Sequence, residues 1–230
     1  MSLPGQDFQS VVREKPEARV VSVNVGEPRD VLWHGRTVST GIWKSPVQGH
    51  VPVWHDNLDG DRQADLRVHG GYDKAVYAYS TEDYEWWASS TGSEFGPGTF
   101  GENLTTVGVD LSKAIIGEVW VIGTARVQVT QPRLPCFKLG IRMNDATFVD
   151  RFDEVGRYGI YFRILSEGAV EGGDAIKIES RPEHGFAAVG LVGMQVSPDP
   201  DQLRRVIEIE ALPAVWRQWG ARQLRRAAPQ

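Results

Sequence analysis

Short apolar runs separated by glycine- and proline-rich segments dominate the pattern of the chain. Runs of this length that are rich in valine, isoleucine and aromatic residues are typical of β-strands. Strands are therefore predicted at residues 18–25, 37–43, 51–54, 64–68, 76–80, 103–107, 158–165 and 174–180. Two further apolar runs in 117–130 flank Gly123 and Thr124, which predicts a hairpin.

Two helices are predicted between these strands. Ser80 is a suitable N-cap, acidic residues follow it in the first turn, and Gly92 is placed to end the helix. Residues 144–154 are predicted to form a shorter amphipathic helix with Asn144 as its cap.

The pattern changes after about residue 195, and residues 201–226 place apolar side chains at helical spacing with an interruption at Pro213. Strands outnumber helices and do not alternate with them as a parallel βαβ fold requires. The chain is therefore predicted to be mainly β, a closed or partly closed barrel with short helices. The predicted divisions are a flexible arm at 1–17, the barrel at 18–195 and a small helical extension at 196–230.

Composition limits the classes of function. The 230 residues carry a net charge of -5, whereas a protein that neutralises nucleic-acid phosphates is usually basic, so a nucleic-acid partner is not expected. The chain has one cysteine, no start typical of a signal peptide, and no run of about 18 apolar residues. These features predict a cytoplasmic protein outside the membrane.

The segment QPRLPCFKLG at 131–140 contains that cysteine, Cys136. Two prolines stiffen the backbone around it, and nearby cations such as Arg133 favour the thiolate, which is both the nucleophile and the soft metal ligand. A lone cysteine is also commonly a small buried apolar residue. The segment is thus a candidate reactive or metal-binding loop.

The segment HGGYDKAVYAYS at 69–80 is a second candidate. Gly70 and Gly71 allow close approach of the backbone to a ligand, and His69, Asp73 and Lys74 supply polar groups. The spacing is not that of a nucleotide-binding P-loop. A tight turn with solvated charges explains the same residues equally well.

Three further segments carry isolated candidates. Lys44 and Ser45 stand at a strand end, where a lysine can meet a phosphate. Asn103 can fix the edge of a ring through paired hydrogen bonds, although such a residue often caps its own loop. Arg157 lies between glycines, and its guanidinium suits phosphate or carboxylate. Zinc-ligand spacings, a G-x-S-x-G elbow and a G-x-G-x-x-G loop are missing from the sequence.

Together, these segments resemble the MOSC domain, the family named after the C-terminal domain of molybdenum cofactor sulfurases. The resemblance spans about residues 18–195. Within the family, the sequence is most similar to the stand-alone bacterial branch that reduces N-hydroxylated bases such as 6-hydroxylaminopurine. It rests, in order, on KSPV (44–47), GDRQADLRVHGGYDKAVYAY (60–79), FGENLT (100–105), QPRLPCFKL (131–139) and GRYGIYFRILSEGAVEGGD (156–174).

The resemblance implies an antiparallel β-barrel with peripheral helices, and a molybdenum–pterin cofactor whose metal is bound by Cys136. His69 and Asp73 are then candidates for proton transfer. The residues expected to contact the cofactor are Lys44, Ser45, Gly70, Gly71, Lys74, Asn103, Arg133 and Arg157.

The expected partners follow from the same resemblance. They are a small N-hydroxylated substrate and a separate reductase that donates electrons, because the chain has no flavin, haem or iron–sulfur motif. A homodimer is also expected, with Trp216 and Trp219 of the tail against the second subunit. Two rival functions remain open: a sulfur carrier that holds a persulfide on Cys136, and a module that binds the cofactor without catalysis.

Overall fold

The computed structural model describes residues 16–65 and 70–227. The strands are β1 (Arg19–Val25), β2 (Arg29–Trp33), β3 (Arg36–Thr40), β4 (Ser45–Val47), β5 (Val51–Trp54), β6 (Asn57–Leu58), β7 (Val76–Ser80), β8 (Leu104–Val107), β9 (Val119–Ile122), β10 (Ala125–Pro132), β11 (Ile160–Ser166), β12 (Gly168–Val170) and β13 (Ile176–Ser180). The helices are α1 (Thr81–Thr91), α2 (Phe137–Met143), α3 (Phe148–Val155), α4 (Gly190–Val196), α5 (Pro200–Val206) and α6 (Ala214–Ala227).

The predicted mainly β, antiparallel barrel is wrong. The main sheet has eight strands in the order β13-β9-β10-β11-β7-β8-β1-β4, and it is mixed because β7 and β8 run parallel. A parallel pair needs a crossover connection, and α1 lies in that connection. Among the described residues, the bridge between Arg19 and Ala175 is isolated and does not extend into a ladder that would close the sheet. Strand and helix are nearly balanced, at about 31% and 29%.

Several local predictions are confirmed by hydrogen bonds. The Ser80 Oγ accepts a hydrogen bond from the Asp83 amide at 3.1 Å and so caps α1. Gly92 ends that helix in the left-handed region with φ 68°. The hairpin around Gly123 and Thr124 is formed by β9 and β10, and Ala125 pairs with Ile122 across it.

Other local predictions are wrong for identifiable reasons. Asn144 does not begin a helix: with φ 50° it ends α2, and Thr147 precedes α3. Asparagine tolerates the left-handed conformation that ends a helix. Its side chain can also cap the first turn of a helix, so the residue type alone does not tell which end it marks. The sequence pattern also missed the hairpin of β2 and β3, which turns at His34 and Gly35 with positive φ. The strand predicted at 64–68 falls mostly on residues 66–69, outside the described part of the chain.

The side chains of β7 point alternately into two separate cores. Val76 and Ala78 belong to the main apolar core, whereas Tyr77 and Tyr79 belong to a second, aromatic core on the other face. Successive side chains of a strand point to opposite faces of the sheet, so a strand covered on both sides contributes to both cores. The aromatic core contains Tyr84, Trp87, Phe100, Phe148 and Phe152.

The C-terminal helices pack against the main core of the same chain. Leu203, Val206 and Trp216 are buried in it, and Trp216 is only 6% exposed. The indole Nε1 of Trp216 donates a 2.6 Å hydrogen bond to Oε1 of Gln131 on β10. Trp216 is thus occupied within its own chain and does not provide the expected subunit surface. The homodimer itself, and the division of the chain into three parts, stay predictions.

Within the described residues, no helix is both long enough and apolar enough to cross a membrane.

Replacement of Trp216 by Phe tests the anchoring of the tail. The change leaves Oε1 of Gln131 without its donor, in a side chain whose Nε2 already has no hydrogen-bond partner among the described residues. We expect a loss of about 2 kcal/mol in the free energy of unfolding, measured by urea denaturation. Trp219→Phe is the matched control, because Trp219 packs on the same core and its indole makes no hydrogen bond to another described residue. Equal losses in the two variants would contradict the assigned anchor.

Candidate functional site

The loop between β10 and α2 presents the cysteine. β10 ends at Pro132, and Cys136 directly precedes α2 in an extended conformation. Arg133 is 5% exposed, whereas Cys136 is half-buried. The two prolines predicted a shaped loop, and the structure confirms that the cysteine lies outside any strand.

Cys136 opens on a cavity of about 80 Å³ whose charged lining residues are all cations among the described residues. Its wall is formed by Thr40, Gly41, Ile42, Lys44, Arg62, Gln63, Ala64, Gly70, Lys74, Tyr77, Phe100, Gly101, Asn103, Arg133, Cys136, Lys138 and Tyr161. Five of these residues are lysine or arginine, and within the described parts of the chain no aspartate or glutamate is among them. A cavity with this lining favours an anionic ligand.

Arg133 is the most unusual member of this wall. Its guanidinium lies 5.7 Å from the ring centre of Tyr77 and 5.5 Å from that of Phe152. Its Nη1 is buried and finds no hydrogen-bond partner among the described residues. Burial disfavours the charged form, but Tyr77, Tyr161 and Cys136 favour it, and the pKa of Arg133 is raised. A permanently charged group is therefore buried beside the thiol without a carboxylate as its counter-charge.

Two tyrosines supply the neutral part of this environment. Tyr161 hydrogen-bonds the Arg133 side chain, and burial raises its pKa. The Tyr77 hydroxyl donates to the carbonyl oxygen of Tyr158 at 2.9 Å, and burial raises the Tyr77 pKa well above its ordinary value. Both phenols therefore stay protonated at neutral pH, and they favour the Arg133 cation without carrying the full negative charge of a carboxylate.

Lys44 and Asn103 line the cavity but are held by Asp61. The Lys44 ammonium forms a buried ion pair with Asp61, and burial lowers the pKa of Lys44 while Asp61 acts in the opposite direction. The amide nitrogen of Asn103 donates to Asp61 at 3.0 Å, and its oxygen accepts from the backbone N–H of Tyr77 at 3.1 Å. These contacts are not the expected alternative of a cap on its own loop, because the amide of Asn103 joins residues 26 and 42 positions away along the chain.

Lys74 also lines the cavity that contains Cys136. Gly71, with φ 77°, leads into a short 3₁₀ turn over Tyr72–Lys74 that directs Lys74 into the cavity. Burial lowers the Lys74 pKa, and the charges of Asp73 and Cys136 raise it. Lys74 and Cys136 are thus close enough to influence each other electrostatically.

The structure separates the predicted site residues into two groups. The cavity wall contains Lys44, Gly70, Lys74, Asn103, Arg133 and Cys136. Ser45 and Gly71 lie outside this wall, and Ser45 is an exposed residue of β4. His69 falls among residues 66–69, outside the described part of the chain.

Asp73 and Arg157 have structural partners away from the cavity. Asp73 pairs with Arg163 at 2.7 Å. Arg157 pairs with Asp83 at 2.5 Å, and its guanidinium lies 4.8 Å from the ring centre of Trp86. Arg157 borders a different cavity, so the structure does not bring it to Cys136. Glycines on either side of an arginine indicate a turn. Here the ion pair of Arg157 with Asp83 connects that turn to α1.

Sequence reasoning missed Asp61 and Tyr161. Asp61 lies in the segment at 60–79 that carries the resemblance, but its role depends on partners 17 and 42 positions away. Tyr161 belonged to a run interpreted only as an apolar strand. Its position between Ile160 and Phe162, both buried in the main core, was the available signal that it faces the other side.

Glu102 organises the loop before β8. Its carboxylate accepts hydrogen bonds from the Tyr84 hydroxyl at 2.6 Å, the Gly98 amide at 2.6 Å and the Thr105 hydroxyl at 2.8 Å. Glu102 is fully buried, and burial raises its pKa although these donors lower it. The loop carries Phe100 and Gly101 into the cavity wall, so Glu102 supports the site without lining it.

Comparison with known proteins assigns a family to this arrangement. The family model described as the MOSC domain matches residues 65–177, which include the Gly70–Lys74 turn and the Cys136 loop. The protein YflK of Bacillus subtilis (strain 168) is 36% identical over 200 residues, covering 86% of this chain and 90% of that protein. The chain belongs to the MOSC domain family.

Two further comparisons extend this result. The crystal structure of YiiM from Geobacillus stearothermophilus superimposes with a TM-score of 0.76 at 31% identity, covering 90% of this chain and 99% of that one. A protein of Gibberella moniliformis (strain M3125 / FGSC 7600) named "Reductase" is 31% identical over 152 residues, which are 64% of this chain and 27% of that protein. The expected MOSC family is confirmed, and the fold is shared almost end to end with YiiM.

Removal of the Asp61 charge tests the buried ion pair. In Asp61→Asn the Lys44 ammonium keeps its burial and loses its carboxylate. An uncompensated buried charge costs about 3–5 kcal/mol in the free energy of unfolding, which chemical denaturation measures. The double variant Asp61→Asn/Lys44→Met is the control and should recover a substantial part of the loss. No recovery would show that the cost arises elsewhere.

The raised pKa of Glu102 predicts a dependence of stability on pH. Since the folded state holds this proton more tightly than the unfolded state, the stabilising contribution is complete below pH 4.5 and decreases as the pH rises through the folded-state pKa. The unfolding free energy of the wild type minus that of Glu102→Gln should therefore decrease between about pH 4 and pH 7. Urea midpoints of both proteins across this range measure the difference, and a constant or increasing difference would contradict the assignment.

Proposed function

We propose that the protein is an oxidoreductase that binds a molybdenum–pterin cofactor and reduces N-hydroxylated compounds. One observation carries the proposal: a buried guanidinium, that of Arg133, stands beside the Cys136 thiol in a cavity with no carboxylate among its described residues. A buried cation without a counter-charge is costly, and an anionic ligand removes that cost. The family membership, and the relative named as a reductase, agree with this chemistry.

The donor set of the cavity fits such a cofactor. Within the described residues there is no group of three or more His, Cys, Asp or Glu side chains able to hold a metal ion by themselves. A pterin dithiolene brings sulfur ligands of its own, so one protein thiolate, Cys136, is enough on the protein side. The bound metal would supply two-electron chemistry, and the protein would supply binding, orientation and charge.

The cations divide into two roles in this proposal. Arg133 and Lys74 face the thiol and would hold the anionic parts of the cofactor. Lys44 is already paired with Asp61, so its contribution would be to shape the wall and to share its ammonium between Asp61 and the ligand. Gly70 borders the same space and would allow close approach of the backbone.

Lys74 is better placed than Asp73 to move a proton. Burial lowers the pKa of Lys74, which makes its ammonium a readier proton donor. Asp73 is engaged by Arg163. Lys74 would therefore protonate the departing oxygen of the substrate, and electrons would come from a separate reductase.

The cavity is too small for a pterin without a conformational change. Ligand pockets commonly measure about 300–1,000 Å³, so a cavity of about 80 Å³ has to widen to take a pterin. Gln63 and Lys74 border it with flexible side chains that can move. Binding would thus reorganise this rim rather than the buried pair of Lys44 and Asp61.

Molybdenum and pterin contents of purified variants test the proposal. The proteins are expressed with molybdate in a host that makes the cofactor. We expect near-stoichiometric metal in the wild type, none in Cys136→Ser, and at least a tenfold loss in Arg133→Met, because one charge-assisted contact is worth about 1.5–3 kcal/mol. Arg62→Met is the matched control: Arg62 lies at the same cavity but is exposed and pairs with Glu27, so its loss should matter little.

The rival functions predict other outcomes. Sulfur released by reductant, in the absence of metal, would favour a persulfide carrier. Stoichiometric cofactor without reduction of any N-hydroxylated compound, with an artificial electron donor present, would favour a binding module. Metal content unchanged by Cys136→Ser would overturn the assignment of the ligand.

A further inference from the structure

The turn that carries Lys74 is held at two points on the preceding residue, Asp73. The carbonyl oxygen of Asp73 accepts a hydrogen bond from the Thr130 hydroxyl at 2.7 Å. The carboxylate of Asp73 forms an ion pair with Arg163 at 2.7 Å. Thr130 lies on β10 and Arg163 on β11, so both supports come from the main sheet. The position of Lys74 therefore depends on side chains that themselves lie outside the cavity wall.

The Arg163 guanidinium contacts three other parts of the chain. Its Nη2 lies 2.7 Å from the Asp73 carboxylate and donates a hydrogen bond to the carbonyl oxygen of Ala211 at 2.7 Å. Ala211 belongs to the segment between α5 and α6. Its Nη1 lies 3.5 Å from Oε1 of Gln128, the residue that faces Arg163 across the β10–β11 pair. One side chain therefore connects the sheet, the C-terminal region and the turn of Lys74.

The ion pair of Arg163 with Asp73 is packed rather than free at the surface. The Arg163 side chain is only 12% exposed, and the ring centre of Tyr72 lies 5.3 Å from its Cζ. Its Nε is buried and has no hydrogen-bond partner among the described residues. A largely buried cation that loses its carboxylate is costly, so this pair resists separation more than an exposed pair does.

We propose that Arg163 is a positioning residue that, through Asp73, holds the turn in which Lys74 lines the cavity beside Cys136. The inference rests on the proposed function, in which Lys74 binds anionic groups and donates a proton. Arg163 itself contacts neither substrate nor cofactor in this assignment. Because Arg163 also binds the carbonyl of Ala211, docking of the C-terminal helices fixes the same turn.

Alkylation of the thiol provides a measurement that needs neither metal nor substrate. The chain has a single cysteine, Cys136, so the reaction reports on this site alone. The thiolate reacts with iodoacetate and with iodoacetamide, which are similar in size, but only iodoacetate is an anion. The ratio of the two rate constants therefore measures the positive charge around the thiol. A change in thiol exposure or in thiolate fraction affects both rates alike and leaves this ratio unchanged.

A double-mutant cycle on this ratio tests the proposal, with the full chain purified from a host that does not make the cofactor. Lys74→Met should lower the ratio of the iodoacetate to the iodoacetamide rate constant about 2- to 5-fold, the effect of one partly solvated charge. Arg163→Met should cause a large part of the same decrease, because Lys74 no longer keeps its position. In the Lys74→Met background, Arg163→Met should have almost no further effect. Equal decreases in both backgrounds would show that the Arg163 charge acts on the thiol directly, and would overturn the proposal.

Asp73→Ala breaks the same ion pair from the other side, and it replaces Arg163→Met if that variant does not fold. The charge of Asp73 lies close enough to Lys74 to raise the pKa of the lysine. Removal of this negative charge would by itself increase the ratio, whereas loss of the Lys74 position decreases it. We expect a decrease, and an unchanged or increased ratio would overturn the proposal.

Arg181→Met is the matched control. Arg181 forms an ion pair at 2.5 Å with Glu118, whose side chain is fully buried, but neither residue lines the cavity. This variant therefore also removes the arginine from an ion pair with a carboxylate, without a connection to the turn of Lys74. Its ratio should equal that of the wild type. A decrease as large as that in Arg163→Met would identify a general effect of destabilisation and would overturn the proposal.

Failure of this inference and failure of the proposed function are distinguishable. The expected non-additive ratios in a protein that binds no molybdenum, even from a host that makes the cofactor, would retain the role of Arg163 and reject the function. Binding of molybdenum and reduction of N-hydroxylated compounds, together with a ratio that Arg163→Met leaves unchanged, would retain the function and reject the role of Arg163.

Discussion

The architecture depends on one strand that is buried on both faces. All five residues of β7 are buried, and alternate side chains enter the apolar and the aromatic core. β7 also joins the antiparallel part of the main sheet, through β11, to β8, its parallel neighbour. Covering the aromatic face with α1, α2 and α3 creates the wall against which the Cys136 loop rests. The aromatic core is thus the support of the candidate site as well as part of the interior.

The two buried cations next to the aromatic core, Lys44 and Arg133, have different environments. Asp61 forms an ion pair with Lys44 and accepts a hydrogen bond from Asn103, so the polar side chains in that part of the cavity wall have partners within the protein. Arg133 is packed among aromatic rings and phenols, and no aspartate or glutamate of the described residues lines the cavity beside it. The wall of the same cavity therefore contains one cation paired with a carboxylate and another, Arg133, whose Nη1 has no hydrogen-bond partner among the described residues. An acceptor that reached Nη1 of Arg133 would satisfy a buried donor, whereas one that reached Lys44 would compete with Asp61.

Sequence reasoning succeeded where local chemistry determines the structure. The capped helix after Ser80, the hairpin around Gly123 and the proline-stiffened loop of Cys136 each depend on a few neighbouring residues. It failed where contacts between residues far apart in the sequence determine the structure. A count of strands does not reveal that β7 and β8 are parallel, and an arginine between glycines does not reveal that Arg157 pairs with Asp83, 74 positions earlier. Asn144 shows a third kind of failure, because the same residue type serves both ends of a helix.

The hydrogen bond between Trp216 and Gln131 also has a consequence for biosynthesis. The two residues are 85 positions apart, and Gln131 immediately precedes the Pro132–Arg133 segment that leads to Cys136. At a translation rate of about 5–20 residues per second, the partner of Gln131 is made roughly 4–17 s after Gln131 itself. The loop that carries the thiol is therefore incompletely supported throughout that interval on the ribosome. A ligand of the cavity that met the nascent chain in this interval would meet an incompletely supported loop, so tight binding is expected only after the C-terminal helices have docked.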